Sequence, residues 1–136
     1  MAFDLGHLLL RAQRDFEQRL VEGLGQKNHR LTAAQVAVMQ LLDGGGTRLG
    51  TIAQRVATTK QAVGQVVDQL EALGLVERAR DDADARARLV RPTKRGAALL
   101  ADAKQIAQGI RRDWKKRLGA ERMAALEDAL GGFAES

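Results

Sequence analysis

The sequence predicts a mainly α-helical chain that carries one small β-hairpin. Apolar residues recur every three or four positions over most of the 136 residues, which is the spacing of amphipathic helices. Threonine caps and glycine stops divide this pattern into separate helices. Residues 75–92 differ, because two short strand-like runs flank a polar tip there. We therefore expect helices along the chain, interrupted by a single hairpin.

The first part of the chain is predicted to form two helices. Residues 3–24 form one long amphipathic stretch, which Gly23, a second glycine and the polar residues after them should end. The next helix should begin at Thr32, because Thr32 and Gln35 have the spacing of a capping box. The glycine run at 44–46 should stop this second helix.

A short helix and a longer one are predicted next. The short helix has four apolar residues on one face: Leu49, Ile52, Ala53 and Val56. The longer helix spans about 59–73, and both Thr58 and Thr59 are good N-caps for it. Gln61 offers Thr58 a capping box, and Gly74 should end the helix in a left-handed conformation. Its predicted buried residues are Val63, Val66, Val67, Leu70 and Leu73.

The hairpin is predicted from residues 75–80 and 87–92, with the polar tip 81–86 between them. Pro92 has no amide hydrogen to donate to a sheet, so it should mark a strand end or edge.

Two helices are predicted after the hairpin. Thr93 should cap the first of them, over about 94–117, whose apolar residues alternate steps of three and four. This is the pattern of a helix that packs on another helix. The last helix should span about 120–133. Because no repeat or linker divides the sequence, we expect one domain over residues 1–136.

Positive charge is concentrated in the middle of the chain. The 22 lysines and arginines exceed the 17 acids, and residues 48–96 hold ten of those cations and six of the acids. This balance favours an anionic partner, with nucleic acid first and a membrane surface second. No stretch is apolar enough to span a bilayer, and Met1–Leu10 lacks the positive charge of a signal peptide. We therefore expect a cytoplasmic protein.

The residues that enzymes and metal sites use are scarce. Ser136 is the only serine, and there is no cysteine or tyrosine, so the usual acyl-transfer nucleophiles are missing. The two histidines, His7 and His29, are too few for most zinc sites. The glycine run at 44–46 lacks the Lys-Ser/Thr pair of a phosphate loop. The tip acids lack the glycine of a calcium loop, so we expect no enzyme, metal or cofactor.

The middle elements have the order of a winged helix-turn-helix, which is helix, short helix, capped helix and hairpin. The helix at 59–73 suits a major groove, because its outward acids, Asp68 and Glu71, come only after its N-terminal half. That half is predicted to present Lys60, Gln61, Gly64 and Gln65 outward. A glutamine there can bond an adenine through two hydrogen bonds. The sequence therefore predicts a protein that binds duplex DNA.

Three runs carry a more specific resemblance. They are LTAAQ at 31–35, ATTKQAVGQVVDQLEALGLVER at 57–78 and DDADARARLVRPTKRG at 81–96. With these runs, the chain resembles the MarR family of bacterial transcriptional regulators over nearly its whole length. It departs from the family pattern at Ala85, where a second wing arginine is common, and at Gly64 and Gln65, where a hydroxyl residue and an arginine are frequent.

The resemblance implies a homodimer that recognises a near-palindromic operator, usually as a repressor. Residues 31–93 would form the DNA-binding lobe, and residues 3–24 and 94–134 would be the dimerisation helices. The family's recognition positions correspond to Thr59, Lys60, Gln61, Ala62, Gly64 and Gln65, and its wing pair corresponds to Asp84 and Arg86. Arg88 adds a further cation to the wing.

The resemblance also implies that a small aromatic acid, bound between the dimer helices and the lobe, releases the DNA. The family position of that site places His7, Arg11 and Phe16 near it. The alternative is that these are ordinary interface residues, and composition alone shows no pocket. Two rival functions stay open. One is a winged helix used for protein–protein contact, against which the basic wing argues. The other is an architectural protein that coats DNA without sequence choice.

Overall fold

The computed structural model describes residues 3–134 and contains the predicted helices and hairpin. Met1, Ala2, Glu135 and Ser136 lie outside the described residues. The helices are α1 (Leu5–Gln26), α2 (Ala33–Gln40), α3 (Leu49–Val56), α4 (Lys60–Ala72), α5 (Lys94–Leu118) and α6 (Ala120–Gly131). The strands are β1 (Thr47–Arg48), β2 (Val76–Asp81) and β3 (Asp84–Pro92). None of these helices is long and apolar enough to cross a membrane.

The helix starts predicted at Thr32 and Thr93 are confirmed. The Gln35 amide donates to Thr32 Oγ1 over 3.2 Å, and the Gln35 side chain accepts from the Thr32 amide, which completes the capping box. Thr93 Oγ1 accepts from the Gly96 amide at 3.1 Å at the start of α5. Both caps satisfy amides that have no partner within their own helix.

The start of α4 lies at Thr59, and the capping box predicted between Thr58 and Gln61 is wrong. Thr59 Oγ1 accepts a backbone amide hydrogen bond of 3.1 Å inside the first turn of α4. The reason lies at the end of α3, where Ala57 is left-handed with φ 57°. The Thr58 amide then donates back to the Ala53 carbonyl over 3.0 Å, so Thr58 belongs to the end of α3.

A three-stranded antiparallel sheet in the order β1-β3-β2 contains the hairpin. Strand β1 was not predicted, because two residues are too few to show an alternating pattern. The hairpin strands run closer to the tip than predicted, so that only residues 82–83, rather than 81–86, form the turn. Regular pairing breaks after Arg80. Pro92 ends β3 opposite Val76, as predicted.

One apolar core joins the winged lobe, which comprises α2 to β3, to the helical half, which comprises α1, α5 and α6. Its buried members include Leu20, Leu24, Val36, Met39, Val67, Leu70, Val90, Leu99 and Ile110. Helix α1 continues two residues past its predicted end at residue 24, to Gln26. Gly23 lies inside it, where a Cβ would be 2.8 Å from Cγ2 of Ile106 on α5. Leu73, predicted to be buried, is 44% exposed, because it caps α4 beyond the last buried turn.

Candidate nucleic-acid interface

The N-terminal half of α4 exposes polar side chains to solvent. The exposed residues are Thr59, Lys60, Gln61 and Gln65. Ala62 and Gly64 are partly buried, and a Cβ at Gly64 would lie 3.9 Å from Cδ2 of Leu49. The outward position predicted for Gly64 is therefore only partly correct, because this side of α4 lies against α3. We call the exposed polar residues the reading face.

The acids that follow the reading face are paired with one arginine of β2. Arg78 donates to Glu71 Oε1 over 2.6 Å and to Asp68 Oδ1 over 2.7 Å. Both carboxylates are exposed, so the pairing adds little stability, but it reduces the negative potential beside α4. Sequence analysis identified the two acids and did not identify their partner.

A buried carboxylate holds the tip of the hairpin against β1. Asp81 is 8% exposed and accepts from Arg48 Nε over 2.8 Å, with a second guanidinium contact of 2.6 Å. Its other oxygen accepts from the Ala83 amide at 2.9 Å. The Ala83 hydrogen bond, followed by the Arg48 hydrogen bond, holds the pKa of the Asp81 carboxyl below its ordinary value. We call the Arg48–Asp81 pair the tip clamp, and sequence analysis did not predict it.

The predicted wing pair is present, but its ionic contact is loose. Asp84 Oδ1 accepts from the Arg86 amide at 3.0 Å, while the Arg86 Nε atom lies 3.8 Å from the same oxygen. The Arg86 side chain is 96% exposed. Asp84 therefore orders the backbone beside the turn and leaves the Arg86 guanidinium available to another anion.

Of the three residues implied for an aromatic ligand, His7 and Arg11 lie together and Phe16 lies apart from them. Phe16 lines a cavity of about 710 Å³ between α1, α5 and α6, where its ring meets Trp114 edge-on at 5.9 Å. His7 instead stacks on Phe3 at 4.5 Å, with the Arg11 guanidinium 5.3 Å from the same Phe3 ring. His7 and Arg11 do not line the cavity. The cavity lies within the helical half, whereas the resemblance implies a ligand site between that half and the lobe.

Comparison with known proteins gives one consistent result. The family model described as "MarR family" matches residues 29–87. Transcriptional regulator HosA from Escherichia coli O157:H7 is 34% identical over 92 residues, which are 67% of this chain and 68% of that protein.

Two solved complexes with DNA have the same fold over almost the whole chain. The transcriptional repressor CouR, bound to a 23-mer DNA duplex, is 30% identical, with a TM-score of 0.77 over 97% of this chain and 93% of that one. A mutant MarR from E. coli, complexed with operator DNA, is 27% identical, also with a TM-score of 0.77, over 95% of this chain and 92% of that one.

Proposed function

The chain belongs to the MarR family of transcriptional regulators, and from this premise we propose that it represses transcription by binding a near-palindromic DNA operator as a homodimer. One observation carries the proposal. The winged lobe presents the exposed reading face of α4 beside a basic hairpin, while Arg78 pairs with the acids of the same helix. A polyanion with hydrogen-bonding base edges is the partner that this combination of surfaces fits.

Base recognition is assigned to the reading face. Gln61 and Gln65 are exposed and lie four residues apart, so they occupy neighbouring positions on one side of α4. Each can form two hydrogen bonds with an adenine in the major groove. Thr59 and Lys60, at the positive end of the helix dipole, suit contacts with phosphate. Ala62 and Gly64 are partly buried beside this face, so we assign no base contact to them.

The wing is assigned to the adjacent minor groove. Arg86, almost fully exposed beside the turn, can enter a narrow groove whose negative potential attracts guanidinium groups. Asp84 orders the backbone next to it, and Arg88 supplies a contact to the phosphate backbone.

The homodimer is supported by apolar residues that the helical half leaves exposed. Leu5 is 72% and Phe133 is 84% exposed, and Leu8, Leu9, Leu10 and Leu130 are exposed as well. Soluble monomers rarely expose a contiguous apolar surface of this kind. A second copy would cover it and would place two reading faces about one DNA turn, or ~34 Å, apart.

Release by a small aromatic acid is the regulatory part of the proposal. The cavity in the helical half has Phe16 and Trp114 in its wall. Lys104 offers a cation to a carboxylate there, whereas Arg111 in the same wall is already bonded to Glu127. Trp114 is the only tryptophan, so its fluorescence reports directly on this cavity. Titration with aromatic acids should change that fluorescence and release operator DNA over the same concentration range. Release without a change at Trp114 would place the effector elsewhere.

Selection from randomised duplexes, followed by anisotropy titration, tests DNA recognition. The wild type should enrich a near-palindrome and bind it about 1,000-fold more tightly than a scrambled duplex. Gln65→Ala should weaken binding to the selected site about tenfold and leave binding to the scrambled duplex unchanged, because it removes only a base contact. Gln18→Ala, on the exposed side of α1, is the matched control and should bind both duplexes normally.

The rival functions give different results in the same experiment. Equal affinity for selected and scrambled duplexes would identify an architectural protein, since phosphate contacts carry no sequence information. Absence of duplex binding would favour a module for protein–protein contact.

A further inference from the structure

Arg80 and Arg88 face each other across the hairpin. They are paired in the register of β2 and β3, and theirs is the last regular pair before the irregularity near the tip. Residues directly opposite in an antiparallel pair have their side chains on the same face, with Cβ atoms about 5 Å apart. Both side chains are exposed. The two arginine side chains therefore leave the sheet side by side at one level of the wing.

The neighbouring arginines of the lobe are paired with acids, but these two are not paired within the part of the chain that the structure describes. Arg48 contacts Asp81 and Arg91 contacts Glu77, while Arg78 contacts two acids of α4. Among residues 3–134, no carboxylate oxygen lies within 4.0 Å of the Arg80 or Arg88 guanidinium nitrogens. Like charges directly opposite in a sheet destabilise it. The pair is thus an unfavourable arrangement in the free protein, and an anion placed between the two groups would relieve it.

The position of the pair relates it to the reading face. Side chains alternate along a strand, so Arg80 lies in the same row of β2 as Arg78, which contacts α4 at Asp68 and Glu71. Two strand residues advance about 6.6 Å, which equals roughly four residues of an α-helix. Because β2 runs back along α4, this displacement brings Arg80 to about the level of Gln65. The pair therefore lies between the reading face and the wing tip.

We propose that Arg80 and Arg88 together bind a phosphodiester of the DNA strand that passes between the reading face and the wing. This inference rests on the proposed function, in which the reading face and the wing occupy adjacent grooves. A single sugar-phosphate strand separates adjacent grooves, so it must cross this part of the lobe. Two arginines can hold a phosphate through several charge-assisted hydrogen bonds. Arg80 lies outside the positions that the family resemblance assigns, and the pair supplies cationic contact to a wing that has Ala85.

The test combines salt-dependent DNA binding with stability of the free protein. Arg80→Gln and Arg88→Gln should each weaken binding to selected and scrambled duplexes by the same factor, about tenfold at low salt. Each should also reduce the slope of log K against log salt by about 0.9 per subunit, the value for one lost phosphate contact. The melting temperature should stay level or rise, because the repulsion between the two guanidinium groups is removed. The preferred sequence should not change, since phosphate contacts carry no base information.

Arg91→Gln is the matched control, because it removes the same charge from the same strand, three residues from Arg88 and on the other face of the sheet. Arg91 is already bonded to Glu77 at 2.8 Å, so its loss should leave the salt slope within error. An equal loss in Arg91→Gln would show an effect of net charge alone and would overturn the inference. A normal slope in Arg80→Gln, with the wild type still selecting its operator, would overturn the phosphate site and leave the proposed function standing. A wild type that binds no duplex DNA would overturn both.

Discussion

The winged lobe and the helical half present opposite chemistry to their surroundings. The lobe buries the apolar faces of its helices and exposes charge, with Arg86 at 96% exposure as its extreme. The helical half buries one side of α1 and α5 and leaves large apolar side chains in solvent, with Phe133 at 84% exposure. Both halves share one core, so the contrast does not arise from incomplete folding of either.

The contrast shows that one chain carries two kinds of binding surface. A surface of cations and amides suits electrostatic binding to a polyanion such as DNA, whose affinity depends on salt. A surface of leucine and phenylalanine side chains suits a lasting contact with another apolar surface. We infer that the helical half sets the assembly and that the lobe selects the DNA, so changes in the two halves should affect different measurements.

The largest effect is expected at the joint between the two halves. A Cβ at Gly96, in the first turn of α5, would lie 2.0 Å from the carbonyl oxygen of Leu75 in the lobe. Backbone atoms cannot move aside as a flexible side chain can, so Gly96→Ala should lower the free energy of unfolding by about 3 kcal/mol or more. Gly109→Ala, further along α5, is the control, since the nearest atom is a flexible arginine nitrogen at 3.6 Å. Urea unfolding measures both, and a native-like Gly96→Ala would contradict the close contact.

The second largest effect is expected on the oligomeric state. Leu5→Glu should leave a folded monomer, because Leu5 is 72% exposed in the single chain, whereas a homodimer would have to bury the new charge. Light scattering should give about twice the 14.8 kDa chain mass for the wild type and the chain mass itself for the variant. Operator binding by this variant should weaken as well, because the monomer has only one reading face. Leu73→Glu changes a leucine of the lobe that is 44% exposed, and it should remain dimeric.

A smaller effect, confined to DNA binding, is expected at the wing. Arg86→Ala should weaken operator binding by about 100-fold and reduce the salt slope by about one per subunit, with an almost unchanged melting temperature. The reason is that its contact with Asp84 is long and solvent-exposed, which contributes at most about 1 kcal/mol to folding. Asp84→Ala should weaken binding less, because the cation stays and only its backbone support is lost. Normal binding by Arg86→Ala would exclude the minor-groove contact assigned to Arg86.

The smallest effect is expected on thermal stability at acidic pH. It can be measured at one carboxylate from each half, Asp81 in the lobe and Asp102 in the helical half. Hydrogen bonds from Ala83 and Arg48 lower the pKa of Asp81 from 3.8, and a hydrogen bond with His29 lowers that of Asp102. A lowered pKa in the folded state means that the ionised group stabilises the protein above about pH 4. This contribution is lost as the pH falls through the lowered value. The melting temperatures of wild type and Asp81→Asn, and of wild type and Asp102→Asn, should therefore converge once the pH is below the lowered pKa of each carboxyl. A difference that persists there would point to lost packing instead of lost charge.

The features predicted correctly from the sequence depend on residues close together in the chain. The capping box of Thr32 and the cap at Thr93 each involve partners three residues apart, and the apolar spacing of the helices repeats within one or two turns. The position of Pro92 at a strand end follows from its missing amide hydrogen alone. The resemblance to the MarR family rests on local runs as well, and it is confirmed.

The features that sequence analysis missed join distant parts of the chain. The tip clamp links Arg48 and Asp81, which are 33 residues apart. The acidic residues at the tip are visible in the sequence, but nothing near them in the chain indicates that Arg48 is the partner of Asp81. Strand β1 exists only because β3 pairs with it. The exposure of Leu73 depends on which elements cover the end of α4, and a periodic pattern cannot supply that information.

The sequence by itself determined the order of the helices, their caps, the basic middle third and the family, because each depends on residue type and short spacing. Only the tertiary structure decided which charges are paired and which remain exposed. Arg48, Arg78, Arg80 and Arg88 are chemically identical in the sequence, yet packing places the first two against carboxylates, and strand register places the last two opposite each other in the hairpin. Electrostatic energy depends on distance in space, and distance in the chain does not reveal it.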